Sequence, residues 1–383
     1  MKVISWHPVL TDHQSYTLEA LQQAAKCDLT VYVAKAEHPT RQVQGWVNRH
    51  APSLFPQLIP QKGWFKYNFQ QLRGHQDAVH LFGSPFEQPR LIATLLLATA
   101  MGLRVFLISE PYSPISAGYL QDSNKLINWA KTALRPILYR VYGALLNRRI
   151  AGIFAISPLA ASQYQRIGMP KEKIFPFGYF VPSSELLCPE MPVEKSKRTA
   201  LRVVFIGALI KRKGLDVLIE AVRSLNRKEL AVTLDVYGSG DSSQFNFDQS
   251  TVNYCGLIPF GEAQAVIANY DVLVLPSRYD GWGVVVNEAL MAEVPVICSN
   301  RAGVGAVVEK WRCGTIFDSE DVSDLERKLN EIVVAPESLV KMRHAARNAS
   351  AVLDPKVAGR YMFDVLRDDT LSAKQQKPSC PWY

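Results

Sequence analysis

The chain has 383 residues, 48% of them hydrophobic, with a formal net charge of +8 and a pI of about 9.1. That length predicts two or three domains with sizeable cores. No apolar run of 18 residues occurs, so no membrane span is expected, and MKVISWHP at the N-terminus does not read as a signal peptide. The positive charge suits an anionic partner: nucleic acid, a membrane surface or a phosphorylated substrate. Cys27, Cys188, Cys255, Cys298, Cys313 and Cys380 are scattered without CxxC or metal-ligand spacing. They predict reduced thiols and a cytoplasmic protein.

The first half carries apolar, β-branched runs at KVISW, LTVYVA, AVHLFGS, RVFLISE, IAGIFAIS and KIFPFGYF. Helical patterns lie among them: YTLEALQQAAK, PRLIATLLLATAMG and PLAASQYQRIGM. Short apolar strands alternating with helices predict a parallel sheet covered on both faces. Residues 124–149 combine an apolar stripe with Lys125, Lys131, Arg135, Arg140, Arg148 and Arg149. Such a helix either lies on an anionic bilayer or buries its stripe and solvates its basic back. The polar, proline-bearing segment 189–200 reads as a linker.

After it the strand–helix rhythm restarts with LRVVFIGAL, GLDVLIEAVRSL, VTLDVYGSG, TVNYCG, EAQAVIANY, DVLVLPS, VVVNEALMA, VPVICSN, CGTIFD and DVSDLERKLNEIVV. The expected fold class is α/β: two Rossmann-like, doubly wound parallel-sheet domains facing across a cleft. The expected boundaries are 1–188, a linker at 189–200, 201–354, and a C-terminal helix and tail at 355–383 that returns to the N-terminal domain. The tail reads as mobile, with Trp382 and Tyr383 able to dock.

Ligands of such sheets bind beyond the carboxyl ends of the strands. FIGALIKRKGLDVLIEA ends a strand at Gly207 and places Lys211, Arg212 and Lys213 before a helix. Cations beside the positive end of a helix dipole suit phosphate oxygens; the plain alternative is a solvated basic loop. In DVLVLPSRYDGWGVVVNEALMA, Gly281 and Gly283 permit a sharp turn and a close backbone approach. Amides over 281–285, Trp282 and Val284 among them, then form an anion nest. One continuous helix would separate Asp280 from Glu288 by roughly 80° in azimuth and about 12 Å along the axis. A loop followed by a helix instead puts Asp280 at the lip and Glu288 about one turn inside. The ordinary alternatives are a turn or capping aspartate and a helix acid paired with Lys or Arg. In the first half, Thr11 with Gln14 predicts a capping box. His13 is a candidate acceptor or phosphate contact, and Glu110, at a strand end, a candidate site carboxylate.

PSRYDGWGVVVNEALMAEVPV, FIGALIKRKG and SPLAASQYQRIGMPKEKIFPFGYF together resemble the retaining GT-B glycosyltransferases of family 4. The resemblance covers most of residues 150–318 and is weak before residue 149. It implies that Glu288 binds the ribose hydroxyls and Asp280 the hydroxyls of the transferred sugar. It implies that the Gly281–Val284 backbone, Trp282 and Gly283 included, and Arg212 or Lys213 hold the diphosphate, with Gly207 also in the donor-binding site. It further implies a nucleotide-sugar donor, a glycan or polyprenyl-linked acceptor, and no metal or other cofactor. Relatives often extend lipid-linked glycans at the inner face of a membrane, and the basic amphipathic face of helix 124–149 without a span fits peripheral attachment there. Two departures stand out: Asp280 replaces the usual glutamate, and Ala208 replaces an arginine whose charge Arg212 or Lys211 is left to supply. A dehydrogenase is disfavoured because GSGDSS lacks the third glycine of a dinucleotide fingerprint. Nucleic-acid binding has no motif behind it. A GT-B epimerase or phosphorylase and a non-catalytic sugar-nucleotide-binding protein stay open.

Overall fold

The computed structural model describes residues 1–36, 51, 53–112, 125–183, 200–259, 261–367 and 377–383; in the helix starting at Lys125, side chains are described from residue 134. Residues 189–199 of the expected linker lie outside the described residues. The chain divides into two compact units. One takes Met1–Tyr112, Gln121–Val181 and Pro355–Pro381; the other takes Pro182–Asp354 with Trp382–Tyr383.

The first unit has seven strands: β1 (Lys2–His7), β2 (Asp28–Val33), β3 (Gln57–Leu58), β4 (Val79–Gly83), β5 (Arg104–Ser109), β6 (Gly152–Ile156) and β7 (Ile174–Phe177). They pair in the order β3-β2-β1-β4-β5-β6-β7, parallel throughout. The central strands are near-continuous apolar runs because helices cover both faces. Trp6, Phe82, Leu91, Leu95, Leu107 and Ile153 form part of one core. The two-residue edge strand β3 and the Trp64–Gly74 helix carry no clear pattern in the sequence. Trp64 and Tyr67 pack on the core while Phe65 and Phe69 face out, so apolar residues occupy both faces of that helix.

The second unit has β8 (Leu201–Ile206), β9 (Val232–Tyr237), β10 (Val252–Tyr254), β11 (Val272–Leu275), β12 (Val296–Ser299) and β13 (Gly314–Phe317). Their order is β10-β9-β8-β11-β12-β13, again parallel. Leu215, Leu218, Ala221, Val222 and Leu225, the stripe read from the sequence, are all fully buried under the Leu215–Arg227 helix. Each such leucine contributes about 1.5–3 kcal/mol of apolar transfer.

Two C-terminal features follow from close packing. The Pro355–Leu366 helix lies against the Asp12–Ala25 helix within the first unit. Gly359 makes that approach possible: a Cβ there would stand 2.5 Å from the Ala20 carbonyl carbon. At the end of the tail, Trp382 is fully buried in the second unit, and its carbonyl accepts from Trp311 Nε1 at 3.2 Å. Tyr383 lies 6.4 Å, ring to ring, from Trp282. The last two residues thus dock; residues 368–376 lie outside the described residues.

From residue 134 on, the Lys125–Leu146 helix does not bury its stripe in the way the core-facing alternative requires; the side chains of the stripe before that residue lie outside the described residues. Leu134, Ile137, Leu138, Val141 and Leu145 are 40–55% exposed, while Gly143 and Leu146 turn inward. Arg140, Arg148 and Arg149 are exposed beside them.

Candidate active site

In each sheet the strand order reverses beside the first strand, between β1 and β4 and between β8 and β11. The carboxyl ends of the strands at such a point form the ligand-binding crevice of open α/β sheets. In the second unit that position brings the two sequence motifs together. Gly207 follows β8, and Pro276 and Ser277 follow β11.

Lys211–Lys213 is one turn of 3-10 helix, ended by Gly214 at φ 70°. Gly214 is required twice over. Its φ is left-handed, and a Cβ would stand 2.0 Å from the Pro276 carbonyl oxygen. This contact seats the basic turn on the end of β11. Arg278, which sequence reasoning passed over, locks it from the other side. Its guanidinium grips Asp216 through both terminal nitrogens at 2.8 and 2.7 Å, and meets Glu320 at 2.7 Å and the Lys211 carbonyl at 2.6 Å. Burial alone would raise the Asp216 carboxyl, but Arg278 outweighs it and holds it below the usual range. The Arg278 amide donates to the Arg212 carbonyl at 2.8 Å, and Arg212 Nη1 to the Tyr279 carbonyl at 2.9 Å. No sequence pattern distinguishes Arg278 from an ordinary loop arginine.

Lys213 Nζ lies 2.6 Å from Asp280 Oδ2. Asp280 is only 9% exposed, so it does not stand at a lip as expected. Its backbone is pinned along the loop after β12: the Asp280 amide donates to the Arg301 carbonyl at 3.1 Å, and the Gly303 amide to the Asp280 carbonyl at 3.0 Å. Burial would push the Asp280 carboxyl up. The Lys213 and Arg212 charges, the Lys213 hydrogen bond and the Trp282 amide prevail, and the carboxyl stays below its ordinary value. The charge that bears on Asp280 besides Lys213 is therefore Arg212, not Lys211, whose side chain is exposed.

Gly283 caps the Val284–Met291 helix at φ 103°, and a Cβ there would come within 2.7 Å of Leu275 Cδ2. The loop-then-helix reading is thus the observed geometry. The Trp282 side chain, on which the expected backbone contact does not depend, is turned inward. It is 1% exposed and donates from Nε1 to Asn287 Oδ1 at 2.9 Å, so the indole packs the loop and cannot meet a ligand. Its amide is engaged with Asp280. Gly281, Val284 and Glu288 are half-buried. Glu288 has no ion pair or side-chain hydrogen bond among the described residues, against the alternative of a helix acid paired with Lys or Arg. Burial pushes its carboxyl up to about 7.

In the first unit, Glu110 follows β5 and Tyr179 follows β7. The Tyr179 hydroxyl reaches across the end of β6 to donate to Glu110 Oε1. The Tyr179 ring lies 3.9 Å, centroid to centroid, from His13. His13 Nε2 is 2.9 Å from Thr11 Oγ1, and Gln14 Oε1 accepts from the Thr11 amide at 3.2 Å, the returning half of the capping box. His13 and Glu110 are therefore joined through Tyr179, which the sequence hid inside the strand-like run KIFPFGYF. Ser157, at the end of β6, is buried at φ 76°, a strained conformation for serine. His7, at the end of β1, is fully buried with Nε2 2.7 Å from Ser5 Oγ; burial lowers it to about 4, and it is neutral at pH 7. Among the described residues no three His, Cys, Asp or Glu side chains gather as a metal site would require.

Two Rossmann-like parallel-sheet units, of seven and six strands, match the GT-B fold. Solved structures share that fold over nearly the whole chain. Anabaena Alr3699/HepE in complex with UDP has a TM-score of 0.68 at 14% identity, covering 96% of this chain and 99% of that one. WaaG, a glycosyltransferase involved in lipopolysaccharide biosynthesis, has a TM-score of 0.61 at 15% identity, covering 96% and 100%. Residues 190–349 match the family described as glycosyl transferases group 1, a span containing Arg212, Lys213, Asp280 and Glu288. A glycogen synthase of Mycobacterium tuberculosis is 28% identical over 152 residues, 38% of this chain and 37% of that protein. The chain spans between 37% and 52% of the length of such curated relatives.

Proposed function

We propose that this chain moves a sugar from a nucleotide-diphosphate sugar to a glycan or lipid-linked glycan acceptor, with retention of configuration. The carrying observation is the grouping of Arg212, Lys213, Asp280 and the Glu288 helix at the switch point of the second sheet. The family match over 190–349 supports it, as does a fold shared with HepE, solved with UDP and with UDP-glucose. WaaG, of the same fold, supports placing the acceptor in a surface polysaccharide or lipopolysaccharide.

In this reading Lys213 and Arg212 stabilise the negative charge that develops on the leaving diphosphate, and no metal is assigned a role. The bond from the sugar's anomeric carbon to the diphosphate oxygen breaks. The acceptor hydroxyl attacks from the same face, and its proton passes to the departing phosphate oxygen. Asp280 takes sugar hydroxyls, and Glu288 accepts from the ribose hydroxyls. Glu110 and His13, held through Tyr179, serve the acceptor in the first unit. A thermal-shift screen with UDP, GDP and ADP sugars tests the donor class, and hydrolysis of the stabilising sugar tests catalysis. A chain that no nucleotide sugar stabilises is not this enzyme.

Glu288 adds a pH signature. With its carboxyl near 7, the ionised acceptor goes from about a tenth to about nine-tenths populated between pH 6 and 8. Nucleoside diphosphate affinity should rise up to about tenfold over that range, and Glu288→Gln should remove the Glu288-dependent part. Equal slopes in the two proteins would remove Glu288 from the nucleotide site.

We further assign the exposed stripe of the Lys125–Leu146 helix to an anionic membrane surface on the cytoplasmic side. Leu134, Ile137, Leu138, Val141 and Leu145 supply apolar area, with Arg140, Arg148 and Arg149 beside them. Among the described residues no helix is long and apolar enough to cross a membrane. The double change Leu138→Glu and Val141→Glu should lower binding to anionic liposomes at low salt at least tenfold and leave donor binding intact. Unchanged sedimentation with liposomes would refute this surface.

A further inference from the structure

The basic turn at 211–213 packs three like charges together, and the structure supplies an anion for one of them from within the chain. Asp280 Oδ2 sits 2.6 Å from Lys213 Nζ, and the Trp282 amide is turned onto the same carboxylate. Lys213 is one of the two cations that the proposed function assigns to a diphosphate, and the Trp282 amide is one of the loop amides expected to hold it. The carboxylate cannot drift away easily. It is 9% exposed, its own backbone is bonded to Arg301 and Gly303, and Gly283 presses the next turn against Leu275. Lys213 is equally confined, because Gly214 seats its turn on Pro276 and Arg278 clamps it to Asp216 and Glu320.

We infer that Asp280 is a resident counter-ion that competes with the diphosphate for Lys213. Binding exchanges one ion pair for another: Lys213 passes from the carboxylate to a phosphate oxygen. The exchange frees Asp280 Oδ2 to accept a hydroxyl of the sugar. When the nucleoside diphosphate leaves, Asp280 closes on Lys213 again, which holds down affinity for the product and favours its release. A shorter side chain than glutamate suits this role, since a rigid, backbone-pinned loop brings the carboxylate to Lys213 without a long flexible stem.

The inference rests on the donor-site reading, and a double-mutant cycle separates the two. The probe is inorganic pyrophosphate, titrated calorimetrically into the full chain at pH 7.5, with thermal melts for every variant. Asp280→Asn, which keeps the shape and removes the charge, should bind pyrophosphate about five- to tenfold more tightly than wild type. Lys213→Ala should weaken binding at least tenfold, and adding Asp280→Asn to it should restore little. Asp280→Ser serves as the second variant if the asparagine form does not melt cooperatively. Unchanged or weaker binding by both Asp280 variants overturns the counter-ion role. So does a gain that persists undiminished in the Lys213→Ala background, because general charge removal then accounts for it. If Lys213→Ala alone leaves pyrophosphate affinity unchanged, the diphosphate site itself is misplaced and the proposed function loses its carrying observation.

Discussion

Alanine at position 213 is expected to lower turnover on a nucleotide-sugar donor about a hundredfold or more. Removing one preorganised stabiliser of developing charge in a water-poor site costs roughly 3–4 kcal/mol of transition-state stabilisation. Lys213 qualifies because its turn is held by Gly214 and Arg278, so little reorganisation is needed when charge develops. The same substitution also strips Asp280 of its partner. A carboxylate 9% exposed that loses its ion-pair partner and keeps only Arg212 and the Trp282 amide destabilises the unit, by up to about 3–5 kcal/mol on the scale of buried ion pairs. The two effects separate by measurement. Lys213→Arg keeps a cation and should recover much of the stability while recovering turnover only in part, since the guanidinium is a planar fork and the ammonium a point charge. If turnover of Lys213→Ala stays within about threefold of wild type while the protein remains folded, Lys213 does not serve the diphosphate.

Replacing Gly214 by alanine is expected to destabilise the second unit by roughly 3 kcal/mol. A left-handed φ of 70° costs a non-glycine residue about 1–2 kcal/mol. The added Cβ would start 2.0 Å from the Pro276 carbonyl oxygen, which is backbone at the end of a buried strand and yields little. For a domain of this size that loss lowers the melting midpoint by roughly 6–12 °C. Calorimetry should show the shift in the second unit's transition, along with weaker pyrophosphate binding, since the basic turn moves with Gly214. A midpoint lowered by less than about 2 °C would show that the turn is not seated on β11 as described.

Much of the second unit was legible because its signals are local. A stripe such as Leu215, Leu218, Ala221, Val222 and Leu225 repeats with the helix period, and every member is buried. The break between Gly283 and Val284 was legible too, since glycine at a turn before a helix has a backbone reason. The first unit was less so. The Trp64–Gly74 helix shows apolar residues on two faces, and β3 is two exposed residues, so neither has a periodicity to read. The contacts of Arg278 and Tyr179 were invisible in the sequence. Each matters through partners dozens of positions away: Asp216 and Glu320 for one, Glu110 and His13 for the other.

By itself the sequence determined two parallel-sheet units, the basic turn after β8, and a loop-then-helix joining Asp280 to Glu288. These depend on short-range period, turn chemistry and strand ends, which a linear chain records directly. Only the tertiary structure decided what the side chains do there. It turned the Trp282 indole into packing, tied Asp280 to Lys213, left Glu288 without an ion pair among the described residues, and put the described part of the apolar stripe, Leu134 to Leu145, outside the core. The physical reason is that a side chain's partner and burial are set by which strand ends the sheet order makes neighbours. That order, with β8 beside β11 and β7 one strand from β5, is written in no local pattern.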